Sequence, residues 1–247
     1  MTKKRMVLIV VSILILLSLF FTYWFYFSKP TAFPTNKQLA TRINTLFPKA
    51  NAETIQDTIE LDSEHAFVPF ISGEDNYGTS YWVWEKHKWK PSYIDTVGEP
   101  VVWKTDKDDP ASFHIVWNIH PDDQISRANF YLIRDRGYHI SSGEHTYVPQ
   151  IQMEKNVRFE GKSYGTIQLP DDWCSFMTQS NKLALAQNPN RYNSSLIQDL
   201  SVYIGWMPLN DSNETTFPEN SVNGSGFSNG DNHINFMRIL DKSELEK

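Results

Sequence analysis

The spacing of hydrophobic and polar positions changes character along the chain, and each change marks a boundary. Residues 6–27 hold no charged side chain. At about 1.5 Å per residue such a helix is roughly 33 Å long, enough to cross a hydrocarbon layer about 30 Å thick. Its middle is Val, Leu and Ile, and its far end is aromatic. Tyr23, Trp24 and Tyr26, followed by Lys29, have the chemistry of the membrane interface, where a ring is buried while its polar edge stays wet. Pro30 and Pro34 then mark a short stiff linker. From residue 36 to 47 the apolar positions Leu39, Ile43, Leu46 and Phe47 make one helical face, with Thr35 or Asn36 as cap and Pro48 as stop.

Beyond about residue 53 the period becomes two. Tyr81 and Val83 oppose Trp82 and Trp84. Phe113, Ile115, Trp117 and Ile119 share a face, and Phe130 and Leu132 oppose Tyr131 and Ile133. Turn residues separate these runs at 73–78, 85–88, 106–110, 121–123 and 136–137, a rhythm of antiparallel hairpins. Residues 157–160 and 163–169 read as one further hairpin through Gly161-Lys162. A helical period returns over 171–187, opened by Pro170 and acidic residues and closed by Asn188-Pro189. Val202, Ile204 and Trp206 are again in strand phase. Residues 210–232, rich in Asn, Ser and Gly, read as a mobile surface loop. The fold class expected is α+β: one mostly antiparallel β-sheet with two packed helices, preceded by one transmembrane helix.

Charge refines this division. The 247 residues carry 23 Lys and Arg against 29 Asp and Glu. Seven of the basic residues and none of the acidic ones lie in residues 1–52, which leaves 16 against 29, a net of −13, for residues 53–247. An acidic body argues against nucleic acid as a partner. A cleaved signal peptide competes with a retained anchor, but its apolar region would run about 7–15 residues and end in a small-x-small site. The run here is longer and ends in bulky rings. Lys3, Lys4 and Arg5 are matched in number by Lys29, Lys37 and Arg42 on the other side. The compact N-terminal cluster and the ability of long domains to translocate favour a cytoplasmic N-terminus. The organisation expected is a cytoplasmic tail (1–5), a transmembrane signal anchor (6–27), a linker with an amphipathic helix (28–52) and an extracytoplasmic domain (53–247) at the cell membrane.

Candidate chemistry is sparse. Trp82, Trp84, Trp89 and Trp103, with Tyr81 and Tyr93, could form a stacking platform for a ligand such as a glycan, or could pack as core. His114 and His120 share strand parity but stand about 20 Å apart, too far for one metal ion. His139 and His145 flank a turn. Cys174 lies at a helix start that would lower a thiol pKa, but Asp171 and Asp172 oppose a thiolate. Asp106, Asp108 and Asp109 lack the glycine and the terminal glutamate of a calcium loop. The glycines of residues 223–230 have no strand before and helix after them to cradle a phosphate. No metal site, cofactor motif or catalytic motif is legible. The expectation is a membrane-anchored, non-enzymatic domain whose partners are the lipid bilayer and either an envelope polymer or a membrane protein. The alternatives are an anchored hydrolase or transferase acting on envelope material, drawing His and Asp or Glu from separate strands, and a sensor that signals through the helix.

Overall fold

The computed structural model describes residues 3–27, 30–141, 143–187 and 202–245. The fold is α+β with mostly antiparallel sheets and, among the described residues, three α-helices, the first of them apolar and N-terminal. That helix, α1 (Lys3–Phe27), exposes its apolar side chains to the surroundings. It is long and apolar enough to cross a bilayer or to serve as a signal sequence.

The strands, numbered in chain order, form three sheets and a ribbon rather than one sheet. The first sheet runs β1 (Ala52–Ile55), β3 (His65–Ser72), β4 (Tyr77–Glu85), β5 (Lys88–Asp95) and β14 (Gly226–Ser228), with β2 (Ile59–Glu60) beside β3. The second runs β12 (Tyr164–Gln168), β7 (Phe113–Asn118), β6 (Val101–Lys104) and β15 (Ile234–Phe236). The third runs β11 (Ile151–Arg158), β8 (Arg127–Arg134), β13 (Val202–Leu209) and β16 (Arg238–Ile239). Its β13–β16 pair is parallel. The ribbon is β9 (Gly137–Ser141) with β10 (Glu144–Val148).

The sheets stack, and alternation along each strand sends apolar side chains to both sides. On one face of the first sheet, Ala66, Val68, Phe70, Trp82 and Ile94 bury Leu39 and Ile43 of α2 (Asn36–Leu46). On its other face, Phe67 and Tyr81 meet Val101, Trp103 and Val116 of the second sheet. The opposite side of the second sheet sets Phe113, Ile115 and Trp117 against Phe130, Leu132 and Trp206 of the third. Trp173 and Met177 of α3 (Asp171–Gln187) are buried in that same cluster. Each such large side chain contributes about 1.5–3 kcal/mol of burial. The helix α2 starts after Thr35, whose amide donates to Gln38 Oε1 at 3.0 Å, one half of a capping box.

Two further expectations are corrected. The hairpin expected through Gly161-Lys162 has its turn, with Glu160 and Gly161 at positive φ and the Lys162 amide donating to the Phe159 carbonyl. Its flanking strands part, however: β11 pairs with β8 and β12 pairs with β7. The turn is a crossover between sheets, held where the Phe159 ring stacks on Trp117 at 5.1 Å. Residues 210–232 are not a free surface loop. They supply β14 to the edge of the first sheet, and Ser221 and Val222 are buried. Asp123 anchors them by accepting from the Asn220 amide (2.9 Å) and from the Ser221 hydroxyl (2.5 Å).

Candidate functional site

The aromatic cluster faces inward. Trp82 and Trp103 are fully buried and Trp84 and Trp89 nearly so. The Trp82 indole donates to Ser80 Oγ at 2.9 Å, which in turn donates to the Val68 carbonyl. Trp89 Nε1 donates to the Thr31 carbonyl at 3.0 Å, and the Phe33 ring stands edge-on to Trp89 at 4.7 Å and to Trp82 at 5.9 Å. Arg42 donates to the Trp89 carbonyl at 3.0 Å. Trp103 meets Tyr81 at 5.2 Å between the first two sheets. With linker, helix and neighbouring sheet over them, these rings offer no open face for a ligand to stack on. The platform expected from Trp82, Trp84, Trp89 and Trp103 is core.

Near the C-terminal end of α1, Tyr23 and Trp24 are exposed, and Trp24 stacks on His87 of the β4–β5 turn at 5.5 Å. The Tyr26 side chain and Lys29 lie outside the described residues.

The histidines divide by their partners. His120 lines a cleft of about 500 Å³ together with Gln124, Phe159, Lys162 and Asp211. Its Nε2 donates to the Asp75 carbonyl at 2.9 Å, and its Nδ1 accepts from the Asp122 amide at 3.1 Å. Both nitrogens are engaged, so this histidine closes a turn and has none left to act as a base. His65 Nδ1 lies 2.9 Å from Asp62 on the β2–β3 turn. Burial alone would raise the Asp62 carboxyl, but the hydrogen bonds from His65 and the Glu64 amide bring it below its ordinary value. His114 Nδ1 bonds the Ser112 carbonyl at 2.9 Å. The His139 side chain lies outside the described residues. Among the described residues no group of three His, Cys, Asp or Glu is arranged to hold a metal ion.

Two other groups matter chemically. The Cys174 thiol donates to the Pro110 carbonyl at 3.3 Å, and burial, then Asp171 and Asp109, push its pKa up, so it is a poor nucleophile. Asp95 is buried and accepts from the Tyr93 hydroxyl at 2.8 Å; burial raises it. Burial, and then the charge of Asp95, push Glu99 up to about 7. Neither the 500 Å³ cleft nor the smaller slot between β6 and β13 is lined by this pair.

The surface that stands out is the ribbon. Tyr138 is 61% exposed, and Ile140 and Tyr147 are each 59% exposed. Tyr138 pairs across the ribbon with Tyr147, and Ile140 with His145, so all four side chains share one face. The Tyr138 hydroxyl bonds His145 Nδ1 across the diagonal. Three large side chains at this exposure make a patch of roughly 300–400 Å². Among the described residues β9 and β10 pair only with each other, so no described strand lies along either outer edge.

Compared with known proteins, the chain matches no family model, no curated protein and no solved structure.

Proposed function

We propose that this chain is a single-pass protein of the cell membrane with a cytoplasmic N-terminus, and that its body binds a partner membrane protein outside, without catalysis, through the β9–β10 ribbon. The observation that carries this reading is the exposed Tyr138, Ile140 and Tyr147 face on a ribbon whose strands, among the described residues, pair only with each other. An apolar aromatic face on such a ribbon suits an extended protein segment, which adds main-chain hydrogen bonds at the edge and side chains on the face. An envelope polymer rich in hydroxyls would need a denser set of polar groups than Tyr138 and His145 supply.

The alternative, a hydrolase or transferase acting on envelope material, requires a histidine and a carboxylate converging in a cavity. The histidine of the large cleft has no free nitrogen, which favours binding over catalysis.

The test has two parts. Protease added to intact cells should degrade the body; survival in intact cells with cleavage only after lysis would overturn the orientation. A photo-crosslinking residue at Tyr147 should capture one membrane protein in cells, and Ile140→Asp should abolish capture. Crosslinks to envelope polymer would replace the protein partner. Unchanged capture with Ile140→Asp would remove the ribbon from the interface.

A further inference from the structure

Between the second and third sheets, at the end where β15 flanks β6, a slot of about 110 Å³ opens. Its apolar wall is Val102, Leu132, Met177, Ile204 and Met237. Lys104, which is 9% exposed, lines the slot beside them. Register fixes its direction: Lys104 pairs with Phe113 on β7, so both side chains point between the second and third sheets. Its ammonium lies 5.3 Å from the centre of the Phe113 ring. Among the described residues no carboxylate or hydrogen-bond acceptor meets that ammonium, and burial holds its pKa below the ordinary lysine value.

A lysine this largely buried without a counter-charge is costly, since ionic groups inside proteins are normally paired. A ring face compensates for only part of that, about 0.5–2 kcal/mol. A second polar group borders the same opening. Asn235 of β15 is exposed and pairs with Val102, which puts its carboxamide on the Lys104 side of the sheet and diagonal to it. One cation and one amide donor beside an apolar slot match an anionic head with a short greasy tail. The slot is smaller than the ~150 Å³ apolar cavity that holds a benzene molecule, so the tail is short.

We propose that this slot is a binding site for a short aliphatic carboxylate, whose carboxylate pairs with Lys104 and whose chain lies against Met177, Leu132 and Ile204. The inference is independent of the ribbon, which lies on other strands, and stands or falls separately from it. The lining methionines provide the readout. The full chain is placed in non-ionic micelles with ¹³C-methyl methionine and titrated with isovalerate, which is too short to partition into micelles. The Met177 and Met237 methyl signals should shift saturably while Met6 and Met153 stay put. Isovaleramide, equal in shape but uncharged, should bind at least about tenfold more weakly. Lys104→Gln should erase that difference. A second measurement needs no variant: isovalerate should slow acylation of the Lys104 amine without protecting Lys88 or Lys162. Equal shifts with acid and amide, or no saturable shift and no protection, would overturn the proposal.

Discussion

Asn118 shows how much one side chain can tie together. It is fully buried, and its Nδ2 donates to Gln56 Oε1 at 2.8 Å and to the carbonyls of Gly78 (2.8 Å) and Phe70 (3.2 Å). Its Oδ1 accepts from the Ser163 hydroxyl at 3.0 Å. One carboxamide thus joins β7 to the first sheet and to the turn before β12. Removing it strands buried acceptors, which costs about 1–3 kcal/mol for each group left unmet. Asn118→Ala should lower stability by about 2–4 kcal/mol in chemical denaturation, and Asn118→Leu should not recover it. A loss below about 0.5 kcal/mol would mean water replaces the network. Glu99 acts through protonation instead. Its folded value of about 7 lies above the ordinary 4.5, so the folded state binds the proton more tightly. Stability is therefore highest below pH 4.5 as far as this group is concerned, and falls as pH rises to about 7. Because Glu99 keeps some water, the change is about 1–2 kcal/mol rather than the full value of the shift. Glu99→Gln should flatten that slope and raise stability at pH 8. An unchanged pH profile would exclude Glu99 as its source.

At the scale of elements, the sequence marks the strands more clearly than it marks their pairing. Alternation in β4, β7 and β8 assigns side chains to two faces, and those assignments match the clusters on either side of each sheet. Pairing depends on contacts far apart in sequence, such as Ser126 meeting both Leu209 and Phe159, which no local period carries. The same gap explains the tryptophans. Trp82 and Trp103 read as a possible platform because a sheet face looks alike whether another layer covers it or not. The turn between His139 and His145 is legible in the sequence, and the face beside it is signalled by Tyr138 and Ile140 alternating on one side of Gly143 with Tyr147 on the other. The Lys104 slot left no trace in the sequence, since Lys at a strand end usually faces water. The ribbon also permits an element-level prediction. Its exposed face supports no core, so Tyr138→Ser with Tyr147→Ser should change unfolding free energy by no more than about 0.5 kcal/mol. A larger loss in denaturant melts would mean that the patch is structural.

For the whole molecule, the region to test is the junction between the apolar helix and the body. Residue 27 ends α1, and Thr31 is already bonded to Trp89, with Phe33 packed between Trp89 and Trp82. The helix end thus lies a few residues from docked chain. Together with the stacking of Trp24 on His87, this sets the β4–β5 turn against the end of the apolar helix. The two ends of the junction contribute differently to stability. The apolar helix is not buried against the body, so a chain starting at residue 30 should fold and melt within a few degrees of the full chain. Starting at residue 35 removes the Thr31 bond and the half-buried Phe33 ring, together about 2 kcal/mol. For a body of this size that corresponds to a fall in Tm of roughly 4–8 °C. Phe33→Ala in the longer chain should reproduce most of it. If both truncations melt alike, the linker is not docked on the body.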